Sequence, residues 1–177
     1  MESRGTGMRG ILRPDFQYEM LQDIQAEDLQ ANGIKGLILD LDNTITPWND
    51  RTLTEDVIAW FKKMNDAGIK SCIVSNNRGP ERVSAVADVL EILYVYKAKK
   101  PHKKAFLRGI RVLDIPESEV AVIGDQLFTD VFGGNKLGLK TILVSPIAQK
   151  EFPGTKVLRF MERLAGRKAK YIRTIRS

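Results

Sequence analysis

The chain has 177 residues, 43% of them apolar, with 28 Lys/Arg against 22 Asp/Glu, one Cys and one His. That is the length of a single domain with one sizeable core, and it excludes a disulfide-stapled scaffold or a centre built from Cys/His clusters. No apolar run is long enough to span a bilayer and the start "MESRGTGMRG" has no apolar signal core, so the expected location is the cytoplasm.

Read along the chain, residues 1–33 form an N-terminal extension, 34–150 a catalytic core and 151–177 a basic C-terminal helix and tail. In the extension, "LQDIQAEDLQANG" suits one short helix, while "RGILRPDFQY" carries mixed signals around Pro14 and receives no assignment. After residue 34, "GLILD" (36–40), "KSCIVS" (70–75), "ILYVY" (92–96), "VAVIG" (120–124) and "KTILVS" (140–145) read as continuous apolar strands, the kind buried on both faces of a parallel sheet. Cys72, inside the second of these, reads as a small core residue.

Helices are predicted between the strands. "LTEDVIAWFKKMNDAG" has Thr54 as N-cap, Val57, Ile58, Trp60, Phe61 and Met64 as its apolar positions, and Gly68 as its stop. Pro80 opens "PERVSAVADVL", His102 opens "HKKAFLRGIRVL", and Leu127 opens a run ended by Gly138. Strand-helix alternation implies an α/β fold with a doubly wound, five-stranded parallel sheet. In such sheets the ligand site lies beyond the carboxyl ends of the strands.

Those ends carry the polar groups: Asp40 and Asp42 after the first strand, Ser75, Asn76 and Asn77 after the second, Lys100 after the third, and Asp125 with Asp130 after the fourth. Several carboxylates in one crevice repel each other unless a cation neutralises them. All-oxygen ligation suits Mg²⁺, which binds through one or two carboxylates together with substrate phosphate. Asp40 can then attack phosphorus while Asp42 protonates the leaving oxygen and later activates water. Ser75 can donate a hydrogen bond to a phosphoryl oxygen, and Lys100 can offset charge on that group and on the nucleophile. Asn43, Thr44, Asn76 and Asn77 are candidate substrate contacts, with ordinary turn chemistry the lesser account of the Asn76-Asn77 pair. His102 reads as solvent-facing or as a second acid/base, and Gly133-Gly134 as close helix packing or as room for substrate.

The motifs "DLDNT", "SNN", "KKP" and "GDQLFTD" in that order resemble those of the haloacid dehalogenase (HAD) phosphatases of subclass IIIA. The wider wording, "GIKGLILDLDNTITPW" and "IGDQLFTDVFGGNKLGLKTILVSPI", resembles the YqeG family, whose mitochondrial relatives are phosphatidylglycerophosphate phosphatases. The resemblance implies an HAD-like (Rossmannoid) fold and an aspartyl-phosphate intermediate on Asp40. It makes Asp42 the acid/base with its main-chain carbonyl on Mg²⁺, Ser75 and Lys100 the phosphate-side groups, Asp125 a direct metal ligand and Asp130 a supporting one.

The intervals from Thr44 to Ser75 and from Asn76 to Lys100 leave no room for the cap domain that many such phosphatases insert, so a capless, open site is expected. Between Lys156 and Ser177 eight Lys/Arg stand against the single acid Glu162, more than the whole chain's formal charge of +6, so the basic character belongs to the tail. The expected substrate is a phosphorylated lipid headgroup, with peripheral contact to an anionic membrane through that tail, and "TKVLRFMERLAG" reads either as an interfacial helix or as one docked on its own domain. Trp48 inserts at headgroup level or packs locally on the same reading. Two rivals remain: a phosphatase of nucleic-acid ends or phosphoproteins, and a non-catalytic nucleic-acid- or ribosome-associated module. The absence of an aromatic stacking platform disfavours nucleic acid, and the intact, mutually repulsive acids disfavour a retired site.

Overall fold

All five apolar runs become strands in the computed structural model, which describes residues 8–147. They are β2 (Gly36–Leu39), β3 (Lys70–Val74), β4 (Leu93–Val95), β5 (Val120–Gly124) and β6 (Lys140–Val144). A sixth, β1 (Phe16–Tyr18), comes from the stretch left without assignment, so among the described residues the sheet has six strands rather than five, in the order β1-β6-β5-β2-β3-β4. Every pair is parallel. β1 is three residues long and only its middle residue is buried, so it shows no periodic apolar signal. Its place is fixed by polar ties: the Thr141 N–H donates to the Asp15 carboxylate at 2.9 Å, and the Asn135 amide donates to the Ile11 and Arg13 carbonyls at 2.7 and 3.0 Å.

β2, β5, β3 and β6 are buried nearly throughout, as their unbroken apolar runs require. β4 differs from expectation. It is an edge strand, and Leu93 and Tyr94 are exposed because, among the described residues, no strand pairs along that margin.

The side chains alternate between two helical layers. Leu37, Leu39, Ile73, Ala121 and Ile123 pack on the side of α2 (Ala26–Ala31), α3 (Glu55–Asp66) and α4 (Glu81–Leu90). Ile38, Cys72, Val74 and Val122 face α5 (Lys103–Leu113). α3 forms as its sequence dictates: the Thr54 hydroxyl accepts from the Val57 N–H, Glu55 and Asp56 lie in the positive first turn, and Val57, Trp60, Phe61 and Met64 make the buried stripe. The Trp60 indole donates to the Ile24 carbonyl at 2.8 Å, joining α3 to the segment ahead of α2. On the other face α5 lies so close to the sheet that a Cβ on Gly109 would meet Val74 at 2.8 Å and Ile38 at 3.1 Å. A short helix, α1 (Met8–Ile11), precedes β1, and α6 (Phe132–Asn135) follows a wide π-helical turn, Leu127–Val131.

The loop from residue 40 to 54 and that from 75 to 80 carry no inserted domain, so among the described residues nothing covers the carboxyl edge as a cap would. The basic segment 151–177, including "TKVLRFMERLAG", lies outside the described residues. Burial pushes the Cys72 thiol up to about 12. The folded protein should therefore resist alkylation by iodoacetamide at pH 8, with labelling appearing only as denaturant unfolds it. Rapid labelling of the folded protein would contradict this packing.

Candidate active site

The chain runs outward from β2 in two directions across the sheet. β3 and β4 lie on one side, β5, β6 and β1 on the other, so the switch point falls between β2 and β5. Asp40 stands there. Its N–H continues the ladder to the Ile123 carbonyl at 3.0 Å, and its carboxyl group projects from the strand end with only 7% of the residue exposed.

Across the crevice, the Lys100 ammonium donates to Asp40 Oδ1 at 2.7 Å and to Asp130 Oδ1 at 2.8 Å. Asp40, Asp125 and Asp130 are all buried, and one oxygen from each lies within 4.8 Å of the others. Burial alone would pull the Lys100 pKa down, but Asp130 and Asp40 outweigh it and raise it, so the ammonium stays charged. Asp40 moves the other way: burial pushes its carboxyl up to about 6, with Asp130 and Asp42 adding to the rise and Lys100 opposing it. Three carboxylates against one ammonium leave an excess of buried negative charge. An all-oxygen donor set of that charge fits a hard divalent cation.

The supporting contacts explain how the loops hold these groups. Asn76, expected to touch substrate, spends its amide on the main chain of Lys100. Its Oδ1 accepts from the Lys100 N–H at 2.7 Å, and its Nδ2 donates to the Lys100 carbonyl at 3.2 Å. Thr44 is buried, and its hydroxyl lies 3.5 Å from Asp125 Oδ1. Asn43 has a left-handed backbone, φ 60°, and its side chain accepts from the Trp48 N–H at 3.2 Å. Asp130 sits in the π-helical turn, where its Oδ2 accepts from the Gln126 N–H at 3.3 Å. Such wide turns recur at functional sites because they re-aim one side chain out of helical register. Gly124 is required beneath it, since a Cβ there would collide with the Asp130 carboxyl group.

Ser75 is buried at the end of β3, and its Oγ accepts from the Asn77 N–H at 3.1 Å, leaving the hydroxyl hydrogen to donate. His102 is exposed at the N-cap of α5, the solvent-facing alternative of its two readings. Gly133 and Gly134 lie against Phe106 and against Thr141 and Val122, so helix packing accounts for them.

Asp42 stands apart from the three-carboxylate cluster. Its Oδ1 pairs with Arg82 at 2.6 Å and accepts from the Asn49 N–H at 3.1 Å, and the Asn77 amide lies 3.5 Å from its Oδ2. Arg82 was not among the residues singled out by sequence. Besides Asp42, it reaches the Thr46 hydroxyl and the carbonyls of Asp50 and Pro47, at 3.2, 2.8 and 3.4 Å, so it fastens the whole 42–50 loop to α4. The available signal was its position: a cation in the first turn of a helix opposes the macrodipole and needs a local partner.

Known proteins match this chain along most of its length. The profile of the family described as mitochondrial PGP phosphatase matches residues 8–148. The chain is 43% identical over 156 residues to a probable phosphatase, YqeG, of Bacillus subtilis, across 88% of this chain and 90% of that one. It is 25% identical over 154 residues to phosphatidylglycerophosphate phosphatase 1, chloroplastic/mitochondrial, of Arabidopsis thaliana; the match covers 82% of this chain and 44% of that relative, less than half of its length. A hydrolase of the haloacid dehalogenase-like family from Brucella suis shares the fold, with a TM-score of 0.52 at 14% identity over 71% of this chain and 93% of that one. An uncharacterized protein from Listeria monocytogenes does so with a TM-score of 0.54 at 20% identity, over 68% and 85%.

Two outcomes follow from the geometry. A carboxyl group whose folded pKa is raised stabilises the fold fully below its unfolded value near 3.8 and loses that contribution as pH rises through about 6. Asp40→Asn should therefore stabilise the EDTA-treated protein at pH 7.5 by on the order of 2 kcal/mol, the gain vanishing toward pH 4, as read by urea unfolding. No gain at pH 7.5 would mean that Asp40 is not strained by burial. Gly124→Ala should displace Asp130 and lower phosphatase activity at least about tenfold, whereas unchanged activity would show the Asp130 position to be dispensable.

Proposed function

The chain belongs to the mitochondrial PGP phosphatase family of HAD-type hydrolases, and from that premise we propose that it is a Mg²⁺-dependent phosphomonoesterase that converts phosphatidylglycerophosphate to phosphatidylglycerol and inorganic phosphate. The carrying observation is the Lys100 ammonium held between Asp40 and Asp130 in a buried pocket. It keeps Asp40 oriented as a carboxylate beside a cation that can also meet the equatorial oxygens of a transferring phosphoryl group.

Asp40 attacks phosphorus, its new O–P bond forming as the bond to the glycerol oxygen breaks. Asp42 gives that oxygen a proton, then takes one from the water that attacks the aspartyl-phosphate, releasing phosphate and restoring Asp40. Ser75 donates its hydroxyl hydrogen to a phosphoryl oxygen, and Asn77 acts through Ser75 and Asp42. Asn43, Thr44 and Asn76 hold the turn, Asp125 and Lys100 respectively. Mg²⁺ would be held by the carboxylates of Asp40 and Asp125 and the Asp42 carbonyl, with Asp130 in support, and when bound it supplies the positive charge that the three acids and the phosphate together require.

The lipid assignment is supported by the family and by the carboxyl edge, which no inserted cap closes against a large substrate. A peripheral position on the inner face of the membrane, with the basic 156–177 segment on anionic lipid, fits that substrate; among the described residues no helix is long and apolar enough to cross a bilayer.

The test measures phosphate release with Mg²⁺ from three substrates: phosphatidylglycerophosphate in anionic vesicles, phosphorylated oligonucleotides and phosphopeptides. Release from the lipid should dominate and fall by at least about a thousandfold in Asp40→Asn, since the nucleophile is lost. EDTA should abolish it and added Mg²⁺ restore it. Asp40-dependent release confined to oligonucleotides or phosphopeptides would overturn the lipid assignment, and none from any substrate would overturn the enzymatic one.

A further inference from the structure

The rim of the site is divided into an apolar flank and a basic one. Met20, Trp48 and Ile147 are exposed by 54%, 43% and 50%, and hydrogen bonds bring their segments together. The Trp48 N–H donates to the Asn43 side chain at 3.2 Å, the Ile147 N–H to the Asn43 carbonyl at 3.0 Å, and the Ser145 N–H to the carbonyl of Glu19, next to Met20, at 3.1 Å. Asn43 itself is buried and belongs to the turn that carries Asp42 and Thr44, so this apolar group stands beside the site.

The basic flank follows the ends of β3 and β4. Arg78, Lys97 and Lys99 are exposed there, and the Lys97 N–H donates to the Asn77 carbonyl at 2.9 Å, tying the two loops into one margin. Lys97 and Lys99 hold left-handed backbones, φ 50° and 62°, a conformation uncommon for residues other than glycine, on either side of buried Ala98 and directly before buried Lys100.

We propose that this rim docks on an anionic lipid bilayer, with Met20, Trp48 and Ile147 entering the boundary between headgroups and acyl chains and Arg78, Lys97 and Lys99 lying on lipid phosphates. The proposal rests on the lipid-phosphatase reading and adds how the site meets its substrate. Apolar side chains with an indole at headgroup depth on one flank and cations on the other match the two forces that hold peripheral proteins to anionic membranes. A second copy of the chain fits less well, since a two-fold contact through this rim would set like charges close together. Docked in this way, the open carboxyl edge faces the headgroup layer and the phosphoester reaches Asp40 without leaving the membrane.

Vesicle binding by the full chain tests the rim without any substrate present. Vesicles of phosphatidylcholine alone are compared with vesicles containing phosphatidylglycerol, using acyl chains brominated near the headgroup to quench inserted indole. The wild type should bind the anionic vesicles and lose Trp48 emission, and Trp48→Phe should lose the quenching, because Trp60 is buried. Met20→Ser with Ile147→Ser should weaken binding at least about fivefold, while hydrolysis of p-nitrophenyl phosphate stays within about twofold of wild type. Quenching no greater in the wild type than in Trp48→Phe, full binding by the Met20→Ser/Ile147→Ser variant, or no vesicle binding by the wild type would each overturn the proposal. So would a concentration-dependent dimer abolished by the same substitutions, which would assign the face to a second copy. Activity on phosphatidylglycerophosphate dissolved in detergent micelles reads the substrate assignment separately, so that assignment can fail while the rim stands, and the reverse.

Discussion

One ammonium group organises the site. Lys100 bonds Asp40 and Asp130 across the crevice, in a place where an unpaired charge of either sign would be costly. The main chain around it is held in place as well: the Asn76 amide grips its N–H and carbonyl together. Three separate strand ends are thereby linked through one side chain. β2 supplies Asp40, the segment after β4 supplies Lys100, and the π-helical turn after β5 supplies Asp130.

The pair does not settle the charge of the pocket. With Asp125 added, the cluster remains negative, and the pressure of burial on Asp40 shows the cost of leaving it so. A site that holds strain of this kind is suited to receive a cation and then a phosphate, each of which compensates the other. Asp42 lies outside the cluster of three, although its charge adds to the rise at Asp40. It pairs with Arg82 on the far side of the same turn, and both side chains are largely buried. Asp40 in the buried cluster and Asp42 outside it are two residues apart, in a turn that continues through left-handed Asn43.

Much of this was legible in the sequence because it rests on patterns with a physical period or a fixed order. Unbroken apolar runs located β2, β3, β5 and β6, since strands covered on both faces have no polar side to show. Thr54 and Gly68 marked the ends of α3, and acids and amides interrupting apolar strand ends marked the catalytic edge. What was missed depended on contacts between distant segments. β1 is too short for a period and owes its place to bonds from Thr141 and Asn135, more than a hundred residues further along the chain. The exposed edge of β4 depended on strand order, which "ILYVY" does not encode. Asn76 looked like a phosphate contact because it follows Ser75, yet its partner is the main chain of a residue two elements away. In the sequence Arg82 resembles other charges on a helix surface, because its partners Asp42, Thr46 and Asp50 lie more than thirty residues before it.

The central claim is that Asp40 is the group that takes the phosphoryl, with Lys100 holding it ready. Its most direct test is acid quenching during turnover with Mg²⁺ and a phosphomonoester, followed by mass spectrometry of the peptides. The account predicts one added phosphoryl group on the peptide containing Asp40, located at that residue and strongly reduced in Lys100→Met. A phosphoryl group on any other side chain, or turnover that proceeds normally after Asp40→Asn, would contradict it.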